Sequence, residues 1–228
     1  MKILTWNMQG QGGIGDKATI LHNILNTGEY DVLCIQEATE PLGSYCVREA
    51  HDGIVWCTMR QPIYPRTNQD YLYTVLYYEW GTGNSRCSLA TYVKTALIIS
   101  AGIYISPITR NIRGMLYVTL TNNYLIGNIH LISGNENLAY QQFLQLWNYA
   151  AYVAPILNKC LIGDFNINAM ANRNTINQNM RFYDVGIKTQ QSGGCLDYMY
   201  SPQTIPQQWM RLDEPGRYSD HSPVIYEL

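Results

Sequence analysis

Short runs of β-branched, aromatic and aliphatic residues recur along the whole chain, and this pattern predicts a series of strands. The predicted strands are Lys2–Asn7, Asp31–Gln36, Ile54–Met59, Tyr71–Tyr78, Thr95–Ser100, Met115–Thr121, Tyr124–Ile132, Lys159–Phe165, Leu196–Tyr200 and Pro223–Leu228.

Helical spacing of apolar residues appears in two places between these strands. The first predicted helix begins near Asp16, a suitable N-cap, and ends near Gly28. The second places Phe143, Leu146, Trp147 and Ala150 on one face and ends before Pro155. A weaker helix is predicted within Asn172–Arg181.

Strands outnumber helices, and the sequence contains no linker, repeat or low-complexity segment. An arrangement of many strands with a few helices favours two packed sheets flanked by helices. We therefore expect a single α/β domain that spans residues 1–228.

The composition supports a packed core but not a strongly basic surface. Hydrophobic residues make up 46% of the chain and charged residues 14%. With 15 Lys+Arg against 17 Asp+Glu, the net charge is -2, which argues against a protein that binds DNA mainly through its phosphates. Acidic metal ligands would lower the net charge, while a bound cation attracts phosphate locally. The charge therefore weakens a DNA-binding interpretation without excluding one that acts through a bound cation.

The cysteines form no C-x-x-C pair, so the sequence indicates neither a zinc knuckle nor a thioredoxin-like site. Cys34 and Cys160 lie in apolar runs and are predicted to be buried thiols. The other four cysteines could form one or two disulfides if the protein is exported, and the sequence does not decide this. They are Cys46, Cys57, Cys87 and Cys195.

No segment approaches the roughly 20 apolar residues that span a bilayer. The N-terminus enters a predicted strand directly, without a basic segment followed by an apolar one. We therefore expect either that no cleaved signal exports the protein or that such a signal lies outside these residues.

Polar side chains collect where the predicted strands begin or end. Because a rigid scaffold can aim strand-end side chains at one point, these positions are candidates for one site. Carboxylate and amide oxygens suit Mg²⁺ or Mn²⁺, and histidine transfers protons near neutral pH. Each residue alone has an ordinary explanation as a turn, cap or core residue. The candidates are Asn7, Glu37, His130, Asp164, Asn166, Asp197, Asp220 and His221.

The order of these residues resembles the endonuclease/exonuclease/phosphatase superfamily. The matching segments are Thr-Trp-Asn-Met-Gln-Gly at 5–10, Gln-Glu-Ala at 36–38, Asn-Ile-His at 128–130, Gly-Asp-Phe-Asn at 163–166, Leu-Asp-Tyr at 196–198 and Ser-Asp-His-Ser-Pro-Val at 219–224. The first segment is similar to the opening of the nuclease subunits of cytolethal distending toxins, a family within the superfamily.

The resemblance implies a four-layered α/β sandwich, with two packed and mainly antiparallel sheets flanked by helices, as in deoxyribonuclease-like proteins. It implies Mg²⁺ or Mn²⁺ as cofactor, bound by Glu37 with help from Asn7 and Asp220. Asp164 and Asn166 would orient or deprotonate the attacking water. Asn166 and Asn7 would also bind the substrate phosphate.

The remaining roles follow from the same resemblance. His130 and His221 would stabilise the developing phosphoryl charge and protonate the leaving oxygen, and Asp197 would support an imidazole. Arg113 is the predicted phosphate-binding arginine, with Arg110 as its competitor. Asp70 could be an acidic partner of the second histidine. His22 and His51 are expected to be ordinary structural residues without a role in the site.

Three functions remain open at this stage. The first is a DNA-nicking endonuclease that acts as a secreted toxin or effector, with possible carrier subunits and a monomeric catalytic core. The second is a phosphatase that acts on phosphoinositides or another phosphomonoester, which the modest basicity would suit. The third is an inactive binding module, although folding alone does not require this whole set of polar residues.

Overall fold

The computed structural model describes residues 1–10, 16–38, 46–51, 54–59, 73–79, 88–109, 113–169, 181–212 and 219–228. Three sequence predictions lie outside these residues. They are the roles of Asp70 and Arg110 and nearly all of the weak helix predicted within Asn172–Arg181.

The first sheet has eight strands in the order β13-β14-β1-β2-β6-β5-β4-β3. Its strands are β1 (Lys2–Asn7), β2 (Val32–Gln36), β3 (Cys46–His51), β4 (Ile54–Met59), β5 (Tyr73–Tyr78), β6 (Leu89–Lys94), β13 (Gln208–Arg211) and β14 (Val224–Glu227). All neighbouring pairs are antiparallel except β1 and β2.

The second sheet has six strands in the order β11-β12-β10-β9-β8-β7. Its strands are β7 (Ile98–Ile105), β8 (Gly114–Leu120), β9 (Tyr124–His130), β10 (Asn158–Asp164), β11 (Phe182–Tyr183) and β12 (Asp197–Tyr200). Among the described strands of this sheet, β9 and β10 pair in parallel and the other neighbours pair antiparallel.

Three apolar clusters hold these elements in four layers. One cluster lies between the sheets and includes Ile3, Val32, Ile126 and Ile162. Helix α1 (Asp16–Thr27) packs on the outer face of the eight-stranded sheet through Leu21 and Leu25, together with Leu4 and Leu33. Burial of these aliphatic side chains supplies most of the favourable free energy of packing.

Helix α2 (Glu136–Val153) covers the outer face of the six-stranded sheet. Asn135 caps its N-terminus by accepting a hydrogen bond from the backbone N–H of Leu138. Phe143 and Leu146 are fully buried against Leu125 and Leu161. The predicted four-layered α/β sandwich is confirmed. Within the described part of the chain, no helix has the length and apolar character needed to cross a bilayer.

The two parallel pairs determine where polar strand ends meet. In register, Asn7 of β1 pairs with Gln36 of β2, and His130 of β9 pairs with Asp164 of β10. The carboxyl ends of parallel strands lie at the same edge of their sheet, and β1, β2, β9 and β10 contact one another across the interior. The sandwich therefore brings these four strand ends to one rim.

Most predicted strands are present with small shifts in their bounds, but part of the prediction was wrong. Thr95–Leu97 forms a 3-10 helix, and the strand that follows runs over Ile98–Ile105. Four strands were not predicted, which are Cys46–His51, Leu89–Lys94, Phe182–Tyr183 and Gln208–Arg211.

The cysteine side chains whose burial the structure describes, those of Cys34, Cys160 and Cys195, lie in the interior. Cys34 and Cys160 are buried free cysteines, as predicted. Cys195 is also buried and forms no disulfide, which removes it from the disulfide alternatives. Burial raises the pKa of the Cys160 thiol to about 12, so this side chain stays protonated at neutral pH.

Candidate active site

The rim collects polar side chains from strands of both sheets. Asn7, His130 and Asp164 end their strands, Glu37 follows β2, Asp197 begins β12, and His221 precedes β14. All six are buried, from 0% exposure for Asp197 to 6% for Glu37. Buried polar groups cost free energy unless they have partners, so their mutual contacts define the site.

Asp164 is at the centre of these contacts. Its Oδ2 accepts a hydrogen bond from Nδ2 of Asn7 at 2.9 Å. The same oxygen lies 3.5 Å from Nε2 of His130 and 4.0 Å from Nε2 of His221. Its Oδ1 accepts a hydrogen bond from the backbone N–H of Asn166 at 2.8 Å. One carboxylate therefore contacts side chains from both sheets.

Burial raises the pKa of the Asp164 carboxyl to about 6, and the nearby Asp197 carboxylate acts in the same direction. The charge of His221 and the hydrogen bonds from Asn7 and Asn166 oppose this rise. A carboxyl with a pKa near 6 is ionised at neutral pH and still basic enough to accept a proton.

His221 is bound to Asp197 by a short contact between Nδ1 and Oδ2, 2.7 Å long. Burial lowers the pKa of His221, but the charge of Asp197 and its hydrogen bond outweigh that effect. With Asp164 and Asp220 acting in the same direction, the pKa of His221 is raised to about 10. The imidazole is therefore protonated at neutral pH.

Glu37 lies directly after β2 in an unusual backbone conformation. Its φ is 48°, in the left-handed region that non-glycine residues rarely adopt. The backbone N–H of Gly10 donates to the carbonyl of Glu37 at 2.8 Å and fixes this turn. Its Oε1 lies 3.9 Å from Nε2 of His130. The strained backbone thus aims the carboxylate at the His130 imidazole.

Asp220 is held at the rim by the segment around it. The hydroxyl of Ser219 donates to the carbonyl of Asn7 at 2.7 Å, and the backbone N–H of Asp220 donates to Oε1 of Gln9 at 3.4 Å. Oδ1 of Asp220 is 3.5 Å from Nε2 of His221 and has no hydrogen-bond partner, although it is buried.

Sequence reasoning missed Lys17, a buried lysine of α1 that is 6% exposed. Its ammonium donates to the carbonyls of Met8 at 2.6 Å and Gly10 at 3.1 Å. Burial lowers the pKa of Lys17, while the charges of Glu37 and Asp220 raise it. Both carboxylates therefore lie near one buried cation. The sequence gives no signal for this, because a lysine in the first turn of a helix is usually solvated.

Asn166 and Arg113 meet at one carbonyl. Nδ2 of Asn166 donates to the carbonyl of Leu131 at 2.8 Å, and the guanidinium of Arg113 donates to the same oxygen. Asn166 has a φ of 49°, a second left-handed residue at this rim. Leu131 directly follows His130, so the predicted phosphate-binding residues lie beside the other candidates.

Two sets of residues at the rim can be compared as metal ligands. Ligand-type atoms of Asp164, Asp197 and His221 lie within 4.8 Å of one another. However, the short bond between Asp197 and His221 already uses one carboxylate oxygen and one ring nitrogen of that set. The other set is Glu37, Asn7 and Asp220, which offers oxygens only.

The second set fits a hard divalent cation better. Mg²⁺ and Mn²⁺ prefer oxygen ligands. Oδ1 of Asp220 is a buried acceptor without a hydrogen-bond partner, as is Oδ1 of Asp197 in the first set, so the all-oxygen chemistry of the second set is what favours it. The charges of Glu37 and Asp220 both raise the pKa of Lys17, so both carboxylates lie within electrostatic range of one buried ammonium.

Comparisons with known proteins agree with this fold. A model of the Endonuclease/Exonuclease/phosphatase family matches residues 4–221. The chain therefore belongs to this family, and the resemblance inferred from its sequence is confirmed. Its members are hydrolases of phosphate esters that generally use divalent metals. No curated protein matches the chain by sequence.

Solved structures with the same fold include three informative ones. Cytolethal distending toxin from Actinobacillus actinomycetemcomitans has a TM-score of 0.75 at 20% identity, covering 99% of this chain and 97% of that chain. CdtB, the biologically active subunit of cytolethal distending toxin, has a TM-score of 0.75 at 20% identity, and the match covers 99% of this chain and 96% of that chain. A humanized D. rerio TDP2 has a TM-score of 0.62 at 14% identity, and the match covers 99% of this chain and 97% of that chain. At these identities the likeness shows a shared fold.

Proposed function

We propose that this protein is a Mg²⁺- or Mn²⁺-dependent phosphodiesterase that nicks DNA, in a single catalytic domain. The observation that supports this most is the buried rim where Asp164 lies 3.5 Å from His130 and Asp197 holds His221 at 2.7 Å. A carboxylate base and a protonated imidazole next to oxygen ligands suit hydrolysis of a phosphodiester, whose negative charge repels a nucleophile.

The cation would be held by Glu37, Asn7 and Asp220. When bound, it would offset the negative charge of the phosphate and polarise its P–O bonds. Asn166 and Arg113 would orient the phosphate, and their hydrogen bonds to the Leu131 carbonyl hold both side chains beside His130.

Asp164 would act as the general base. Its carboxylate would take a proton from the attacking water as the water oxygen bonds to phosphorus. With a pKa raised to about 6 by burial, Asp164 is ionised at neutral pH and accepts a proton more readily than an ordinary aspartate. Asn166 fixes the direction of this carboxylate through its backbone N–H.

His221 would act as the general acid. As the bond between phosphorus and the leaving oxygen breaks, its Nε2 proton would pass to that oxygen, while Asp197 stabilises the ring through Nδ1. His130, with Nε2 directed between Glu37 and Asp164, would stabilise the charge on the phosphoryl oxygens.

DNA is the proposed substrate because CdtB and TDP2 share the fold. In addition, the segment Thr-Trp-Asn-Met-Gln-Gly at 5–10 is similar to the opening of the nuclease subunits of cytolethal distending toxins. By the same analogy we propose a monomeric catalytic core that carrier subunits could deliver. Phosphoinositides are the second candidate, since a net charge of -2 suits a small substrate with few phosphates.

The test uses supercoiled plasmid and phosphoinositide vesicles in parallel, with wild type, His130→Gln and His22→Gln. His22 lies on α1, on the outer face of the eight-stranded sheet, and serves as the matched histidine control. Nicking by wild type and His22→Gln, lost in His130→Gln, is the expected result. Phosphate release from vesicles without nicking would move the assignment to the phosphatase. Neither reaction, from folded protein, would contradict the proposed function.

A further inference from the structure

Beneath the rim lies a second layer of buried polar side chains to which sequence reasoning assigns no role. Thr5, Gln36, Thr91 and Asn128 are all 0% exposed. Thr5, Gln36 and Thr91 belong to the eight-stranded sheet, whereas Asn128 belongs to the six-stranded sheet. They interrupt an interior that is mostly apolar, so their presence needs a physical reason.

Gln36 and Asn128 join the two sheets directly. Nε2 of Gln36 donates to Oδ1 of Asn128 at 2.8 Å. The same nitrogen donates to the hydroxyl of Thr5 at 3.1 Å, and that hydroxyl donates back to Oε1 of Gln36 at 3.3 Å. Both polar atoms of the Gln36 amide are therefore satisfied within the interior.

Asn128 completes the link from the other side. Its Nδ2 donates to the carbonyl of Ala90 at 3.0 Å, to the carbonyl of Ile35 at 3.2 Å and to the hydroxyl of Thr91 at 3.2 Å. One asparagine of the six-stranded sheet thus contacts β2 and β6 of the opposite sheet. Apolar contacts between sheets are non-directional, whereas this set of hydrogen bonds allows one spacing and one register.

The position of the network along the strands relates it to the site. Gln36 is the residue before Glu37, and Asn128 and Thr5 each precede a rim residue by two positions. Side chains two apart on a strand point to the same face, so Thr5 lies below Asn7 and Asn128 lies below His130. The network is therefore the layer directly under the rim.

The proposed reaction needs the two sheets at a fixed separation. Glu37 comes from the eight-stranded sheet, and His130 and Asp164 come from the six-stranded sheet. A displacement of about 1 Å in a reacting group can cost about a hundredfold in rate. Groups behind metal ligands typically change affinity or activity by about ten- to a hundredfold when they are removed.

We propose that Gln36 and Asn128, supported by Thr5, are positioning residues that set the distance between the metal-binding side of the rim and its histidine and aspartate side. This inference rests on the proposed function and deepens it. The network touches no substrate and takes part in no proton transfer. It acts by fixing one sheet against the other.

The test compares Gln36→Met, Asn128→Leu and the double variant in melting temperature, Mn²⁺ affinity by calorimetry and turnover. Each single change leaves its partner amide buried with a lost hydrogen bond, whereas the double change removes the Gln36–Asn128 pair together. We expect the double variant to melt no lower than the less stable single variant. We also expect its turnover and Mn²⁺ affinity to be lower than those of wild type by about ten- to a hundredfold.

Two smaller substitutions test the same inference if the Gln36 and Asn128 variants do not fold. Thr5→Val removes one hydroxyl of the network, while Thr74→Val removes a buried hydroxyl bonded to Thr95 at the far end of β5 and β6. We expect Thr5→Val to lose turnover or Mn²⁺ affinity several-fold and Thr74→Val to match wild type.

The possible outcomes separate the two claims. Folded Gln36 or Asn128 variants with wild-type turnover and Mn²⁺ affinity would overturn the inference, as would a Thr5→Val protein indistinguishable from Thr74→Val. A wild-type protein that cleaves no phosphate ester but binds Mn²⁺ would defeat the proposed function, and the Mn²⁺ affinities of the variants would still decide the positioning role. A wild type without either property would contradict both.

Discussion

Nδ1 of His221 lies 2.7 Å from Oδ2 of Asp197, and this contact decides which ring nitrogen faces the rim. Asp197 is itself fixed, because its backbone N–H and that of Leu196 both donate to the hydroxyl of Thr189. Nε2 is left 4.0 Å from Asp164 and 3.5 Å from Asp220. The pair therefore delivers one oriented, positively charged N–H group to the site.

Replacing Asp197 with asparagine should impair the turnover of the folded protein. Asp197→Asn keeps the shape but loses the charge that orients and protonates His221, so we expect turnover to fall by about a hundredfold or more. Asp31→Asn is the matched control, since Asp31 lies at the opposite end of β2 and binds Lys94 at the same 2.7 Å. Steady-state rates of the two proteins should separate clearly, and equal rates would contradict the role of Asp197.

The free energy of unfolding should fall as the pH rises above neutral, because His221 then loses its proton. Its folded pKa, raised to about 10, exceeds the ordinary value of 6.5, so the stabilisation is complete below about pH 6.5 and is lost as the pH rises through 10. The loss is at most about 1.4 kcal/mol per pH unit. Urea unfolding of wild type and Asp197→Asn between pH 6 and 10 gives the free energy of unfolding of each protein at each pH. The difference between their slopes against pH measures the contribution of His221. Identical slopes would show that the ion pair does not form.

Gly163 should be essential for packing β9 against β10. An added Cβ would meet the carbonyl oxygen of Ile129 at 2.0 Å, and φ is 143°. We expect Gly163→Ala to lower the free energy of unfolding by about 3 kcal/mol or more, because backbone must move. Gly134→Ala is the control, with φ at 81° but no atom within 4 Å, and should cost about 1 kcal/mol. Chemical denaturation distinguishes them, and equal losses would refute the steric argument.

Binding of Mn²⁺ should raise the melting temperature through Glu37. A ligand that binds only the folded state stabilises it in proportion to the logarithm of its concentration, by about 2.7 kcal/mol at a hundred times Kd. Glu37→Gln removes a charged ligand and should abolish most of the Mn²⁺-induced shift. Glu29→Gln, at an exposed ion pair with Lys2, should retain it. A full shift in Glu37→Gln would place the cation elsewhere.

Much of the site could be predicted because polar residues stand out at the ends of apolar strands. Asn7, His130 and Asp164 end buried strands, and the described contacts bring them together. Their roles remain proposals. What the sequence did not provide was long-range pairing, which decides that Gln36 reaches Asn128 and that Lys17 is buried.

The strands that were missed also have physical reasons. β3 and β13 are the edge strands of the eight-stranded sheet, and β13 is largely exposed, so hydrogen bonds to one neighbour hold it without an alternating apolar pattern. β6 lies between β2 and β5 and is buried on both faces, which removes the alternation expected of a strand. β11 has only two residues.

The most direct test of the central claim, a metal-dependent phosphodiesterase, is plasmid nicking by wild type and Glu37→Gln across a Mg²⁺ titration. Excess chelator followed by renewed Mg²⁺ completes the experiment. We predict that wild type converts supercoiled to open circular DNA only with metal and recovers when Mg²⁺ returns. Glu37→Gln should need far more Mg²⁺ or remain inactive. Conversion by wild type that persists in excess chelator would contradict the account.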